Sequence, residues 1–272
     1  MMEDMSEQYV HGYSEKESQR LSDQAGTLTQ IIHHDSIFPP GSKILEAGCG
    51  TGAQTSILAQ LNPGCEFTSV DISDSSLEIA RKRISAAGIT NVTFVHLDIM
   101  DEVFFTDRFD HAVFCFVLEH LKKPAEAVMK VMQMVKSGGT ITAIEGDHGS
   151  VCFHPESEKA LRTIECQVIL QKMAGGDACI GRKIYPLLVS AGLSNVMVTA
   201  RIVYADSGKS NLVDGFTRKT FIAMIEGVRK PSVAAGLITE KEWEEGISDL
   251  YRSAAKDGTF SYTFYKGTGI VP

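Results

Sequence analysis

The chain has 272 residues, 43% of them hydrophobic and 22% charged, and these ordinary globular proportions exclude a disordered or fibrous protein. Its 26 basic and 34 acidic residues give a formal net charge of −8, which opposes a nonspecific nucleic-acid role because phosphate contacts need clustered cations. Because no apolar run approaches the about 20 residues of a membrane-spanning helix, no membrane partner is predicted. With no nucleic-acid partner predicted either, a small-molecule or protein substrate is expected.

The N-terminal residues and the cysteines bear on location and metal content. Residues 1–13 lack the basic start and apolar centre of a secretory signal, which predicts a cytoplasmic location. The six cysteines include no C-x-x-C pair, so no zinc site is predicted. A metal site at Asp147, His148 and His154 is a weaker alternative, because no helical H-x-x-x-H spacing supports it. Monomer and homodimer both stay open.

Predicted strands and helices alternate along the first half of the chain. An apolar helical spacing runs through residues 14–34 and ends before Pro39-Pro40-Gly41. The strands are predicted at 42–48, 65–71, 91–97, 109–115 and 139–145, with helices at 51–61, 74–87 and 124–136. Mostly apolar strands separated by helices indicate a parallel sheet covered on both faces, which is a doubly wound α/β fold.

The regular alternation of strands and helices ends after Glu145, where longer helical patterns begin. Helices are predicted at 156–174 and across 209–256, and further strands at 195–204 and 259–267. The helical insertions flank the last two strands and are long enough to enclose a small molecule. The sequence therefore predicts a helical cap added to the sheet.

The segment LEAGCGTGA, residues 45–53, fits two different ligands. Counted from Gly48, it satisfies the dinucleotide fingerprint G-x-G-x-x-A, with Asp71 near the expected ribose-binding position, and this favours an NAD-dependent oxidoreductase. Counted from Glu46, it places a carboxylate before the glycines. Because a carboxylate repels a pyrophosphate and attracts an ammonium group, Glu46 favours an adenosyl amino acid.

Acidic residues also follow the second and third predicted strands. Asp71 with Ile72 suits a ribose and the adjoining adenine face, and Asp98 with Ile99 suits the exocyclic amine of adenine. Ligands bind beyond the carboxyl ends of the strands in an open parallel sheet, so these side chains are expected at one site. The alternative for each acid is an N-cap of the helix that follows.

Five segments resemble the class I S-adenosylmethionine-dependent methyltransferases, in particular the small-molecule branch related to quinone biosynthesis. In chain order they are ILEAGCGTG, TSVDIS, HLDI, FDHAVFCFVLEHLKKP and VKSGGTITAIE. The resemblance implies a Rossmann-like, mostly parallel seven-stranded sheet with an antiparallel last strand. It also implies S-adenosylmethionine as cofactor and methyl transfer to a small-molecule acceptor. An oxidoreductase and a noncatalytic S-adenosylmethionine-binding regulatory protein are the alternatives.

The resemblance implies cofactor contacts in the core, and the patterns of the flanking segments give them domain roles. Residues 1–38 would form a lid, 39–148 the S-adenosylmethionine-binding core, and 149–272 the substrate-side helices with the last two strands. The cofactor-binding residues would be Glu46, Gly48, Cys49, Gly50, Asp71, Ile72, Asp98, Ile99, Cys115 and Phe116.

The acceptor chemistry depends on three candidate residues. His148 is predicted as general base because an imidazole titrates near neutral pH, and Glu145 is the second candidate. Tyr13 would lie near the methionine carboxylate or methyl group, in a segment where Arg20 could pair with a carboxylate. A histidine with only structural hydrogen bonds and an exposed helix start are the competing interpretations.

Overall fold

The computed structural model describes Arg20, residues 26–101 and residues 109–272. Residues 26–32 are helical, within the predicted helix 14–34. Tyr13, and with it part of the predicted lid, lies outside the described residues. Within the described ranges, no helix has both the length and the apolar character that crossing a membrane requires.

Seven strands form one sheet, in the order β3-β2-β1-β4-β5-β7-β6. The pairs β1–β2, β1–β4, β2–β3 and β4–β5 are parallel. The strand bounds are β1 Lys43–Ala47, β2 Glu66–Asp71, β3 Val92–His96, β4 Phe109–Cys115, β5 Val135–His154, β6 Ser194–Asp206 and β7 Thr259–Ile270. The mostly parallel seven-stranded sheet predicted from the sequence is confirmed.

The last strand runs antiparallel to β5. Gly138 N–H donates to the carbonyl of Val271, Val271 N–H donates to the carbonyl of Gly139, and the Thr142 and Thr268 hydroxyls lie 3.1 Å apart. Residue numbers fall along one strand as they rise along the other, which is the antiparallel pattern. The antiparallel direction that the resemblance implied is thus confirmed.

The helices begin and end at recognisable local features. Ser73 accepts a hydrogen bond from Ser76 N–H at the start of one helix, and Thr239 forms a capping box with Glu242 at the start of another. The helix bounds are α1 Ala53–Leu61, α2 Asp74–Ala86, α3 Pro124–Met134, α4 Glu158–Met173, α5 Ile184–Ser190, α6 Arg229–Ala234 and α7 Glu240–Ser253. The predicted block 209–256 therefore consists of several helices, including a π-helical stretch at Val213–Ile222.

Strand β5 is much longer than the sequence pattern predicts. The prediction ended it at residue 145, where longer helical patterns begin. In the structure the strand continues to His154, and residues 141–148 are all buried. The prediction of a loop directly after residue 145 is therefore wrong: Asp147 and His148 are strand residues.

The chain divides into two compact units. The first, here called the sheet unit, contains Thr29–Gly146, Ile180–Arg201 and Phe264–Pro272. The second, here called the helical unit, contains Asp147–Cys179 and Ile202–Thr263 with the described residues before Thr29. The lid, core and cap roles assigned from the sequence stay predictions.

The core of the sheet unit is built from the apolar strand residues. Leu45, Ala112, Phe114 and Ile141 each expose 0% of their surface and belong to one cluster. Because these side chains come from central strands, they hold the carboxyl ends of β1, β4 and β5 in fixed positions. The candidate site residues are attached to these ends.

Candidate functional site

The loop between β1 and α1 contains three glycines in the left-handed backbone region. Gly48, Gly50 and Gly52 have φ values of 77°, 51° and 74°. A Cβ on Gly52 would come 2.9 Å from the Cβ of Ala80 on α2, whereas a Cβ on Gly50 would have no atom within 4 Å. Gly52 is therefore needed for packing inside the protein, and Gly50 leaves room for a ligand against the backbone.

Glu46 lies on β1 just before this loop and is only 2% exposed. Its Oε2 accepts a 2.6 Å hydrogen bond from the hydroxyl of Ser69, its register partner on β2. Burial raises the pKa of Glu46 to about 7 and the charge of Asp71 adds to this, while the Ser69 hydroxyl lowers it. A buried carboxyl in this state is favourably placed to ionise when a cationic group binds beside it.

Asp71, at the end of β2, is bonded to the glycine loop. Its Oδ2 accepts a 2.7 Å hydrogen bond from Gly50 N–H, and its Oδ1 accepts one of 2.9 Å from Ser73 N–H. The carboxylate thus holds the loop in position. Each oxygen retains a lone pair, so a ribose hydroxyl can also donate to it.

Three further predicted residues differ in exposure. Ile72 is 51% exposed, so its side chain is available to an adenine face. The Oδ1 of Asp98 accepts a 2.7 Å hydrogen bond from Met100 N–H, which leaves its second oxygen for an amine. Ile99 is 7% exposed and packs in the core cluster of the sheet unit.

The end of β4 brings Cys115 and Phe116 to the same edge of the sheet. Cys115 is 8% exposed, and burial raises the pKa of its thiol well above the usual value. Phe116 has a φ of 60°, which is uncommon for a residue with a side chain, and its ring lies 5.5 Å from the ring of Phe264. The backbone therefore turns sharply where the resemblance places the sulfonium side of the cofactor.

Glu145 occupies the same edge from β5 and is fully buried. Its Oε1 accepts hydrogen bonds from Val117 N–H at 3.0 Å and from Leu118 N–H at 2.8 Å. Burial raises the pKa of Glu145 well above its usual value, and the neighbouring charge of Glu119 raises it further. The carboxyl is therefore bonded to the turn that follows β4.

His148 belongs to the helical unit and is 7% exposed. Its Nδ1 lies 3.0 Å from the hydroxyl of Tyr262 and its Nε2 lies 3.4 Å from the sulfur of Met224. The ring also lies 6.2 Å from that of Phe221. Since a thioether sulfur only accepts, Nε2 is the donor in the contact with Met224.

Among the residues predicted from the sequence, the structure bonds Asp71 to Gly50 of the glycine loop, and Ile99 packs in the core of the sheet unit. Sequence reasoning missed Ser69 and Val117. Ser69 lies two positions before Asp71 on β2, so the two side chains lie on the same face of the strand, and this spacing could have indicated its role. Val117 has no such pattern, because its role depends on a contact with Gly48 across the fold.

The comparisons with known proteins agree with this geometry. Residues 45–141 match the family described as a methyltransferase domain. An uncharacterized protein of Synechococcus is 35% identical over 151 residues, which are 54% of this chain and 35% of that protein. A demethylmenaquinone methyltransferase of Clavibacter sepedonicus is 33% identical over 105 residues, covering 39% of this chain and 41% of that enzyme. The chain therefore spans less than half the length of these relatives.

Two solved structures share the fold. A Bacillus halodurans protein assigned to the methyltransferases has a TM-score of 0.59 at 16% identity, covering 91% of this chain and 98% of that protein. Phosphoethanolamine N-methyltransferase 2 of Haemonchus contortus, in complex with S-adenosylmethionine, has a TM-score of 0.57 at 17% identity, covering 92% of this chain and 52% of that protein. The likeness extends over most of the chain.

Proposed function

We infer that this chain, which belongs to the class I S-adenosylmethionine-dependent methyltransferases, binds S-adenosylmethionine at the carboxyl edge of its sheet unit and transfers the methyl group to a small-molecule acceptor. The oxidoreductase interpretation of the glycine loop has no support in the comparisons, where the matching family and the relatives named by activity are methyltransferases. Nor do the comparisons give support to a purely regulatory role.

The observation that carries the proposal is the pairing of Glu46 with Asp71 around the glycine loop. Glu46 is buried with a pKa near neutrality, so a cofactor ammonium would favour its charged form. Asp71 has an oxygen bonded to Gly50 and can accept from a ribose. Two carboxylates beside the glycine loop would repel a pyrophosphate, whereas they suit an amino acid joined to a nucleoside.

Methyl transfer from a sulfonium is a direct displacement, and the protein contributes mainly alignment and exclusion of water. When bound, S-adenosylmethionine supplies an electrophilic methyl group. Glu46 would bind its ammonium, Asp71 its ribose, and Asp98 with Ile72 its adenine. Cys115 and Phe116 would border the methyl side.

The acceptor and its activation remain proposals. His148 is the proposed base for a protonated nucleophile such as a phenol, and Tyr13 stays a prediction outside the described residues. A thiolate or a neutral amine would need no base. The cytoplasmic location and the monomeric or homodimeric state also stay predictions.

Two experiments test the function. Calorimetric titration with S-adenosylmethionine, S-adenosylhomocysteine and NADH should give binding of the first two, and binding of NADH alone would overturn the proposal. Incubation with metabolite extract and cofactor labelled in its methyl group should then yield a labelled small molecule. A demethylquinone belongs among the acceptors tried, because one relative is named for that activity. An Asp71→Ala preparation serves as the control for labelling that does not depend on the site.

A further inference from the structure

The Glu145 carboxyl is bonded to backbone within the sheet unit. Its Oε1 accepts from Val117 and Leu118, as described above, and its Oε2 has no hydrogen-bond partner in the part of the chain that the structure describes. Burial and the charge of Glu119 raise the pKa of Glu145 well above its usual value. A buried carboxyl that accepts two hydrogen bonds from backbone amides is suited to holding a backbone segment.

Strand β5 holds three consecutive amides of the turn after β4. Phe116 N–H donates to the carbonyl of Ile144 at 2.9 Å, and the next two amides donate to Glu145. The left-handed backbone at Phe116 costs about 1–2 kcal/mol for a residue with a side chain. Three hydrogen bonds to a buried strand offset that cost, so the turn is held by β5.

The same turn is packed against the glycine loop. A Cβ on Gly48 would lie 2.7 Å and 2.8 Å from the two methyl carbons of Val117, which is closer than Cβ atoms are found in proteins. Val117 therefore packs directly against the Gly48 backbone, where a side chain would not fit. A movement of Val117 toward Gly48 would therefore displace the loop that precedes α1.

We propose that Glu145 is a positioning residue of the cofactor site, which fixes the turn at 116–118 and, through the contact of Val117 with Gly48, the shape of the glycine loop. The inference rests on the proposed function, since that function places the cofactor on this loop. Glu145 touches neither cofactor nor acceptor in this role and transfers no proton. The positioning role needs only an acceptor oxygen, which a glutamine amide of the same shape also has. A general base must take up a proton, which that amide does not do.

Glu145→Gln and Glu145→Ala distinguish positioning from base catalysis. The glutamine keeps an acceptor oxygen for both amides, so it should bind S-adenosylhomocysteine within about twofold of wild type and keep the pH profile of turnover. The alanine leaves two buried N–H groups without acceptors and should weaken binding by about tenfold or more. Loss of turnover in Glu145→Gln with unchanged binding, or wild-type binding by folded Glu145→Ala, would overturn the proposal. Glu66→Gln, on the exposed start of β2, is the matched control.

Val117→Ala tests the transmission step even if Glu145→Ala does not fold. It leaves both hydrogen bonds to Glu145 and removes the contact with Gly48, so affinity should fall about fivefold. The double variant with Glu145→Ala and Val117→Ala should have an affinity no lower than that of the single variant that binds less tightly, because both changes act through one contact. Wild-type affinity in Val117→Ala, or additive losses in the double variant, would refute the path through Val117.

Hydrogen exchange of the Val117 and Leu118 amides separates this proposal from the proposed function. Exchange should be slow in wild type and Glu145→Gln and at least tenfold faster in Glu145→Ala, with or without ligand. If wild type binds no S-adenosylmethionine, the proposed function fails, and these rates still report on the turn. Equal exchange in all three proteins overturns the positioning role.

Discussion

Glu46 and Glu145 are the same residue type, at the same edge of one sheet, with nearly the same burial, yet their surroundings differ. Glu46 accepts from a side-chain hydroxyl, and Glu145 accepts from two backbone amides. Glu46 can ionise beside a ligand without breaking a backbone hydrogen bond. Glu145 instead holds the backbone of the turn that follows β4. Burial of an acid therefore does not define its role, and its hydrogen-bond donors do.

The largest effect is expected from Gly48→Ala, which acts on the contact between the turn at Val117 and the glycine loop. The new Cβ would overlap Val117 and require a left-handed backbone at an alanine, so the free energy of unfolding should fall by about 3 kcal/mol and cofactor affinity by about 100-fold. Calorimetry and urea unfolding measure both. Gly50→Ala is the control: its backbone is also left-handed but its Cβ meets open space, so its stability should fall by only about 1–2 kcal/mol. Equal stability losses in the two variants would contradict the assigned contact.

Glu46→Gln should change binding and stability in opposite directions. Burial raises the pKa of Glu46 from its ordinary 4.5 to about 7, so the folded state binds this proton more tightly and stability falls as pH rises from 4.5 to 7. The glutamine removes that loss and should raise the free energy of unfolding at pH 8 by about 1–3 kcal/mol, with little change at pH 4.5. Affinity for S-adenosylmethionine should fall about 30-fold, since its ammonium loses a carboxylate. Urea unfolding at both pH values decides, and a destabilised variant at pH 8 would refute the raised pKa.

Asp71→Ala should weaken cofactor binding at least about tenfold, or about 1.4 kcal/mol, because it removes the ribose acceptor and frees the Gly50 amide. Asp71→Asn keeps one acceptor oxygen and should fall between wild type and alanine. Titration with S-adenosylhomocysteine provides the measurement. Unchanged affinity in a folded alanine variant would remove Asp71 from the site.

The smallest effect is expected from Ser69→Ala. Loss of its hydroxyl removes a bond that lowers the pKa of Glu46, so that pKa should rise further. The pH at which cofactor binding is half-maximal should then move up by about half to one unit. Binding curves between pH 5 and 9 measure the shift. Thr93→Ala, at an exposed position on β3, should leave the curve in place, and a matching shift there would show that the change is not specific to Glu46.

The sequence predicted the residues expected to contact the ligand better than it predicted the contacts that hold the site in shape. Glu46 and Asp71 could be found because each lies at the end of a predicted strand, next to a loop. The bonds from Glu145 to the turn at Val117 join residues 28 positions apart, and no local spacing encodes them. The length of β5 was missed for a related reason: Gly146 and Asp147 have turn propensity, and pairing within the sheet overrides it.

The position of β7 in the sheet has a consequence for synthesis of the chain. β6 lies at the edge and its neighbour is β7, which is made more than 50 residues later. Until then β6 has no strand to pair with, while it carries apolar side chains such as Val196 and Val198 without an intervening charge. A nascent chain must keep this segment from pairing with other molecules, so the slowest and most aggregation-sensitive moment of folding should come between the emergence of β6 and that of β7.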